Sequence, residues 1–239
     1  MTGLLDVSGS DLFEGDLRGR FAPDPALLER AHRRARVAQG MLVAYPALVL
    51  AATGWYALNP YYVGLAPDVV LGLAFVLTAV AFASWKVAAY GLVPALSGYP
   101  PDRSLAMAAG GYLIPIANFW IPYQMMAEIR ESADAGALGA GLDAEGGRVP
   151  LPLWWGLWLA FNVSSTVIAR LPLPTTEGGA TAYQAFSLAV LALAVAASVA
   201  ALLVVRQMDA GQQEVARRVA AEEARAAAEA DVVQADQAG

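Results

Sequence analysis

The chain has 239 residues, of which 58% are hydrophobic and only 15% charged, with a formal net charge of −6. Soluble domains charge roughly a quarter of their residues, so this balance, the positive mean hydropathy and several apolar windows of about 20 residues indicate a polytopic membrane protein. With no cysteine and a single histidine, His32, disulfides, thiol nucleophiles and Cys- or multi-His metal sites are excluded and no cofactor is expected.

The acidic balance also argues against nucleic acid as a partner. Residues 1–23 hold Asp6, Asp11, Glu14 and Asp16 among scattered apolar residues. They read as a disordered cytoplasmic lead without the apolar core of a signal peptide. Asp24 then offers an N-cap and Pro25 a first-turn proline. The helix that follows begins basic, with Arg30, Arg33, Arg34 and Arg36, and continues into a first span over 37–58. Pro46 should kink that span, Trp55 and Tyr56 mark an interface, and Asn59-Pro60 stops it. A loop free of Lys and Arg leads to a second span over 69–90, with Lys86 near its end.

After a turn-rich stretch comes the least regular part of the chain, 104–132, which contains GYLIPIANFWIPYQMMAEIRES. It is apolar enough for a membrane, but Pro115 and Pro122 each free a backbone carbonyl, those of Gly111 and Asn118. Hydrocarbon tolerates no unpaired backbone group. A Gly/Ala-rich linker follows, then a span over 153–170 introduced by Pro150 and Pro152, a second loop, and a last span over 185–205. The predicted membrane domain is 24–206. The polar remainder, 207–239, reads as a cytoplasmic helical tail with i,i+4 pairs such as Glu214–Arg218 and Arg225–Glu229.

Charge decides between two threadings. If 104–132 crosses the membrane there are five crossings, and the 15 basic residues divide nine to six. If it enters and leaves on one side there are four, both termini are cytoplasmic, and Arg170 alone lies outside. Basic loops favour the cytoplasm, so four crossings are expected. The fold predicted is all-α: a polytopic helical bundle with four spanning helices and one broken, proline-containing re-entrant or interfacial helix.

Several polar residues are candidates for function, each beside a structural alternative. Lys86 sits about 6 Å inside its span's end. It either snorkels to the headgroups or turns inward, capping freed carbonyls or pairing with Glu128. Asn118, Tyr123, Gln124 and Glu128 supply the polar groups of the broken helix, which is either a binding device of the kind transporters use or a kinked helix satisfied locally. Asn162 shares a helical face with Trp158, Ser165 and Thr166, which suits an interhelical hydrogen bond or a substrate contact. Ala185, Ala189, Ala192, Ala196 and Ala200 form a small-residue stripe for close packing. The arginines at 30–36 serve as a topology signal or bind anionic lipid.

These residues also carry a resemblance. The pattern Trp85-Lys86, Arg103-Ser104, then Pro115-x-Ala117-Asn118-x-Trp120-x-Pro122-Tyr123-Gln124, then Trp154-Trp155 with Trp158 and Asn162, and finally Arg206-Gln207 before Gln212 resembles a bacterial family of multi-pass membrane proteins, domain-of-unknown-function family 4328, over about residues 30–215. The chain departs from the family's pattern at Tyr90, where asparagine is usual, and at 105–107, where the family tends to place Pro and Trp. The resemblance implies the membrane architecture, in a bacterial inner membrane, and no activity.

With no carboxylate pair inside the membrane, no Ser/His pair and no metal-ligand spacing, an enzyme is not expected. Two functions remain: a scaffold that binds a protein partner or a second copy of the chain, and a small permease or lipid-binding protein that uses the broken helix. Membrane lipids are partners in either case.

Overall fold

The computed structural model describes residues 22–59, 66–98, 100–110, 119–138, 149–172 and 174–238. Among them the chain is all-α: α1 (Pro25–Leu58), α2 (Ala66–Tyr90), α3 (Val93–Ser97), α4 (Leu105–Gly110), α5 (Ile121–Leu138), α6 (Leu151–Ile168) and α7 (Glu177–Ala238). Helices α1, α2, α6 and α7 are long and apolar enough to cross a membrane. The stretch 104–132 is not among them. Its described parts are the short α4 and the 18-residue α5, so the described fold is four helices of spanning length together with these two and α3. Pro115 and Asn118 lie outside the described residues.

The helix ends follow from local chemistry. Asp24 Oδ1 accepts the N–H of Ala26 at 2.9 Å, so the cap of α1 is the one its sequence offers. The helix then runs unbroken through Pro46, where the missing N–H leaves the carbonyl of Leu42 without its helical donor. Pro150 sits extended before α6, and Pro152 occupies its first turn. Helix α7 differs from expectation: the last span and the tail form one helix of 62 residues. No proline follows Pro174, so nothing in the backbone separates the two.

The chain divides into two compact units. The first comprises 34–85 and 148–206, and it is apolar outside as well as inside. Val43, Leu48, Leu50, Val69, Leu73, Val76, Val80, Val163, Leu188 and Val199 are all exposed, as lipid-facing residues must be. Its interior is small and aromatic. Nearer the surface, rings pair from Tyr45 to the exposed Phe75 (5.8 Å) and from Phe75 to Phe161 (6.5 Å). A second series joins Trp85, Phe82, Trp154 and Trp155, ending in the stacked pair Trp155–Trp158 at 4.7 Å. At one helix end the Tyr56 hydroxyl donates to Asp68 at 3.0 Å.

The alanine stripe needs correction. Ala185, Ala189 and Ala192 are exposed and Ala196 is half-buried, whereas Ala200 of the stripe is buried together with Ala194, Ala197, Ala201, Val204 and Val205. Residues 185 and 194 are nine positions apart, half a turn at about 100° per residue. In so alanine-rich a helix two opposite faces carry the same periodicity, and sequence spacing does not choose between them.

The second unit comprises residues up to 33, 86–147 and those from 207 onward, and it is the polar one. An apolar cluster of Ala31, Leu92, Leu96, Val215, Ala216 and Val219 joins the start of α1, α3 and the middle of α7. Met125, Met126 and Ile129 of α5 are completely buried. Helix α7 passes α5 so closely that a Cβ on Gly211 would lie 2.8 Å from Cβ of Ala133 and 2.9 Å from its carbonyl oxygen.

Candidate functional site

The polar unit gathers its side chains where α2 ends and α5 begins. Gly98, in the left-handed region at φ 76°, closes α3 by donating its N–H to the carbonyl of Pro94. The chain then turns through Pro100, Pro101, Asp102 and Arg103, and Ser104 caps α4 by accepting the N–H of Met107 at 3.3 Å. This turn delivers Arg103 to α5. There Gln124 and Glu128, four residues apart, present their side chains on one face.

The result is a closed network. The Tyr90 hydroxyl donates to Glu128 Oε2 at 2.7 Å, and the N–H of Asp102 donates to the same oxygen at 3.2 Å. Arg103 Nη1 meets Glu128 Oε1 at 3.5 Å, and its Nη2 donates to Gln124 Oε1. The N–H of Arg103 donates back to the Tyr90 oxygen at 3.1 Å. Arg103 and Glu128 keep side-chain exposures of 26% and 16%, so the pair is well shielded but still reached by solvent. Each polar group here faces one of opposite character, and the turn is thereby clamped to α2 and α5.

A second polar contact fixes α7. Buried Gln212 donates through Nε2 to the carbonyl of Ala89 and to Ser132 Oγ, each at 3.1 Å. Ser132 in turn donates to the carbonyl of Ile129 at 2.8 Å. One amide thus bonds α7 to both α2 and α5. A third contact lies a turn away, where His32 of α1 shares 2.7 Å with Asp209 Oδ2 and Gln213 Nε2 reaches the same oxygen at 3.0 Å. Gln213 Nε2 also lies 2.6 Å from the imidazole Nδ1 that meets Asp209, so the three side chains converge on one point.

Of the residues singled out in the sequence, Gln124 and Glu128 meet through Arg103, Pro122 is buried, and Tyr123 stands 6.3 Å from the Trp120 ring. Lys86 is completely buried. Its side chain is enclosed by protein. Asn162 belongs to the apolar unit and donates to the carbonyl of Trp158 in its own helix at 2.8 Å, while Ser165 and Thr166 donate to the carbonyl of Asn162. Its amide is therefore satisfied within α6, not across helices.

Sequence reasoning missed Ser132 and the His32–Asp209–Gln213 contact, and it noted Tyr90, Arg103 and Gln212 only as positions of a pattern. The available signal was the glutamines of the exit from the last span. Polar amides continuing an apolar helical face mark positions that need buried partners.

Four spanning helices with an apolar exterior, continued by a unit held together by buried polar contacts, define a multi-pass helical membrane protein. The family described as Domain of unknown function (DUF4328) matches residues 62–210, and the chain belongs to it. No curated protein and no solved structure matches the chain.

Proposed function

We propose that the chain is a non-enzymatic scaffold of the cytoplasmic membrane, with both termini cytoplasmic, and that its C-terminal helix binds a protein partner. The observation that carries this reading is the far part of α7. Residues 220–236 are exposed on every face, a run of about 25 Å. Helices in proteins draw most of their stability from packing one face against something. This one continues well beyond Val219, its last buried residue, which supports a partner outside the chain.

The remaining parts agree with that assignment. The N–H of Ala22 donates to Glu223 at 2.8 Å, and His32 meets Asp209. The two ends of the chain thus share one unit, which supports their lying on one side of the membrane. Fourteen of the 15 basic residues fall on that side in a four-crossing topology, which supports the cytoplasm. Exposed Leu105, Met107, Phe119 and Trp120 in the polar unit support an interfacial position for the broken element, since aromatic side chains favour the headgroup level. A permease needs polar groups left over for cargo, whereas Arg103, Gln124, Glu128 and Gln212 are engaged with one another.

The test is site-specific photocrosslinking in native membranes from Ala224 and Ala228, with lipid-facing Ala44 as the control. A discrete protein adduct at the tail positions and none at Ala44 is expected. No adduct at either tail position refutes the partner. A reporter fused after Ala140 checks the topology, and a periplasmic readout there overturns it.

A further inference from the structure

The outward face of α1 changes character within a single residue step. Arg30, Arg33 and Arg36 are exposed, and the same face continues with exposed Val37, Val43 and Leu48. The opposite face buries Ala31, Ala35, Ala38 and Leu42. At about 100° per residue the three arginines and the apolar residues occupy one half of the circumference, the buried alanines the other. All of these residues lie on one continuous helix, so their spacing is set by that helix alone.

The fourth arginine of the group behaves differently. Arg34 turns inward and donates to the carbonyl of Ser84 at 3.3 Å. Arg30, Arg33 and Arg36 form no hydrogen bond or ion pair among the described residues. Glu29 is the acidic residue on their face, and it stands a turn before Arg33, away from the apolar sector.

We infer that this arginine stripe binds the phosphates of anionic phospholipid headgroups. A guanidinium offers a planar fork of N–H donors that matches a phosphate in two bonds. Three such forks within about 9 Å of helix stand directly beside a surface suited to acyl chains. A ligand that joins phosphate to hydrocarbon satisfies both halves of the face, and free phosphate satisfies one. A topology signal requires only positive charge somewhere in the segment; here the three exposed arginines share the lipid-facing side of the helix. Each basic residue near an anionic bilayer contributes about fivefold to its attraction.

The test uses the purified full chain in detergent with phosphatidylglycerol and phosphatidylcholine in competition, and reads the retained lipid by native mass spectrometry. Phosphatidylglycerol should be retained at least about tenfold over phosphatidylcholine. Equal retention by the wild-type protein overturns the proposal without any variant. The triple substitution Arg30→Gln, Arg33→Gln, Arg36→Gln should abolish the preference, and the triple lysine variant should restore part of it. A control with Arg217→Gln and Arg225→Gln removes charge from the tail and should leave the preference intact; equal losses in the two sets overturn a local site. Inorganic phosphate should not displace the lipid at equal concentration. Full displacement assigns the stripe to a soluble anion and overturns the lipid.

Discussion

Gly211→Ala tests the closest helix approach in the polar unit. The new Cβ would stand 2.8 Å from Cβ of Ala133, 2.9 Å from its carbonyl oxygen and 3.2 Å from its carbonyl carbon. Carbon atoms rest at about 3.5–4.0 Å, and two of these three neighbours are backbone, so no rotamer change relieves the contact. The helices must separate by roughly half an ångström or more, and Gln212, the next residue, then loosens its 3.1 Å bonds to Ala89 and Ser132. Alanine adds about 0.8–1.0 kcal/mol of helix propensity over glycine. Overpacking costs about 1–3 kcal/mol, and each weakened hydrogen bond up to about 1 kcal/mol more. The expected net effect is a loss of about 1–3 kcal/mol. Gly40→Ala and Gly156→Ala serve as controls, because a Cβ at either position meets nothing within 4 Å; they should be neutral or slightly stabilising. Thermal stability in detergent, followed by the fraction of protein that remains monodisperse after heating, gives the ranking. Gly211→Ala at or above the wild-type midpoint would refute the approach of α7 to α5.

Other substitutions probe separate contacts. Lys86→Arg should destabilise by about 1–3 kcal/mol, since a completely buried site has no room for the larger planar head; unchanged stability would return Lys86 to the headgroup region. Glu128→Gln, Arg103→Gln and the double variant should show a coupling of about 0.5–3 kcal/mol in a double-mutant cycle of thermal stability, and strict additivity would mean that the pair does not act as drawn. Gln212→Leu keeps the approximate volume but strips the donor from buried Ser132 and Ala89. A loss of about 1–3 kcal/mol is expected, and a stable variant would contradict the contact. Truncation after Arg225 removes residues 226–236, all of them exposed, and the three that follow, so the heating midpoint should not move; a drop would show that the tail packs on its own chain.

Much of the architecture was legible because a bilayer imposes simple rules. Span length, the prolines at 25, 150 and 152 and the cap at Asp24 all follow from hydropathy and backbone satisfaction. The pairing of Gln124 and Glu128 on one face was likewise readable from a spacing of four. What these two residues bond to was not. Arg103 reaches them only because Gly98 and two prolines fold the chain back, and Tyr90 because α2 ends there.

The same division separates the two readings of Lys86 and of the alanines in α7. Sequence alone determined that a lysine near a span end must find either water or a polar interior, and that an alanine-rich helix packs closely on some face. Tertiary structure alone decided that Lys86 is enclosed and that the face is Ala194–Ala197–Ala201. Hydrophobicity and periodicity are properties of one segment, set by its own residues. Which side of that segment is covered depends on the neighbours that pack against it, and those are chosen by the energy of the whole assembly.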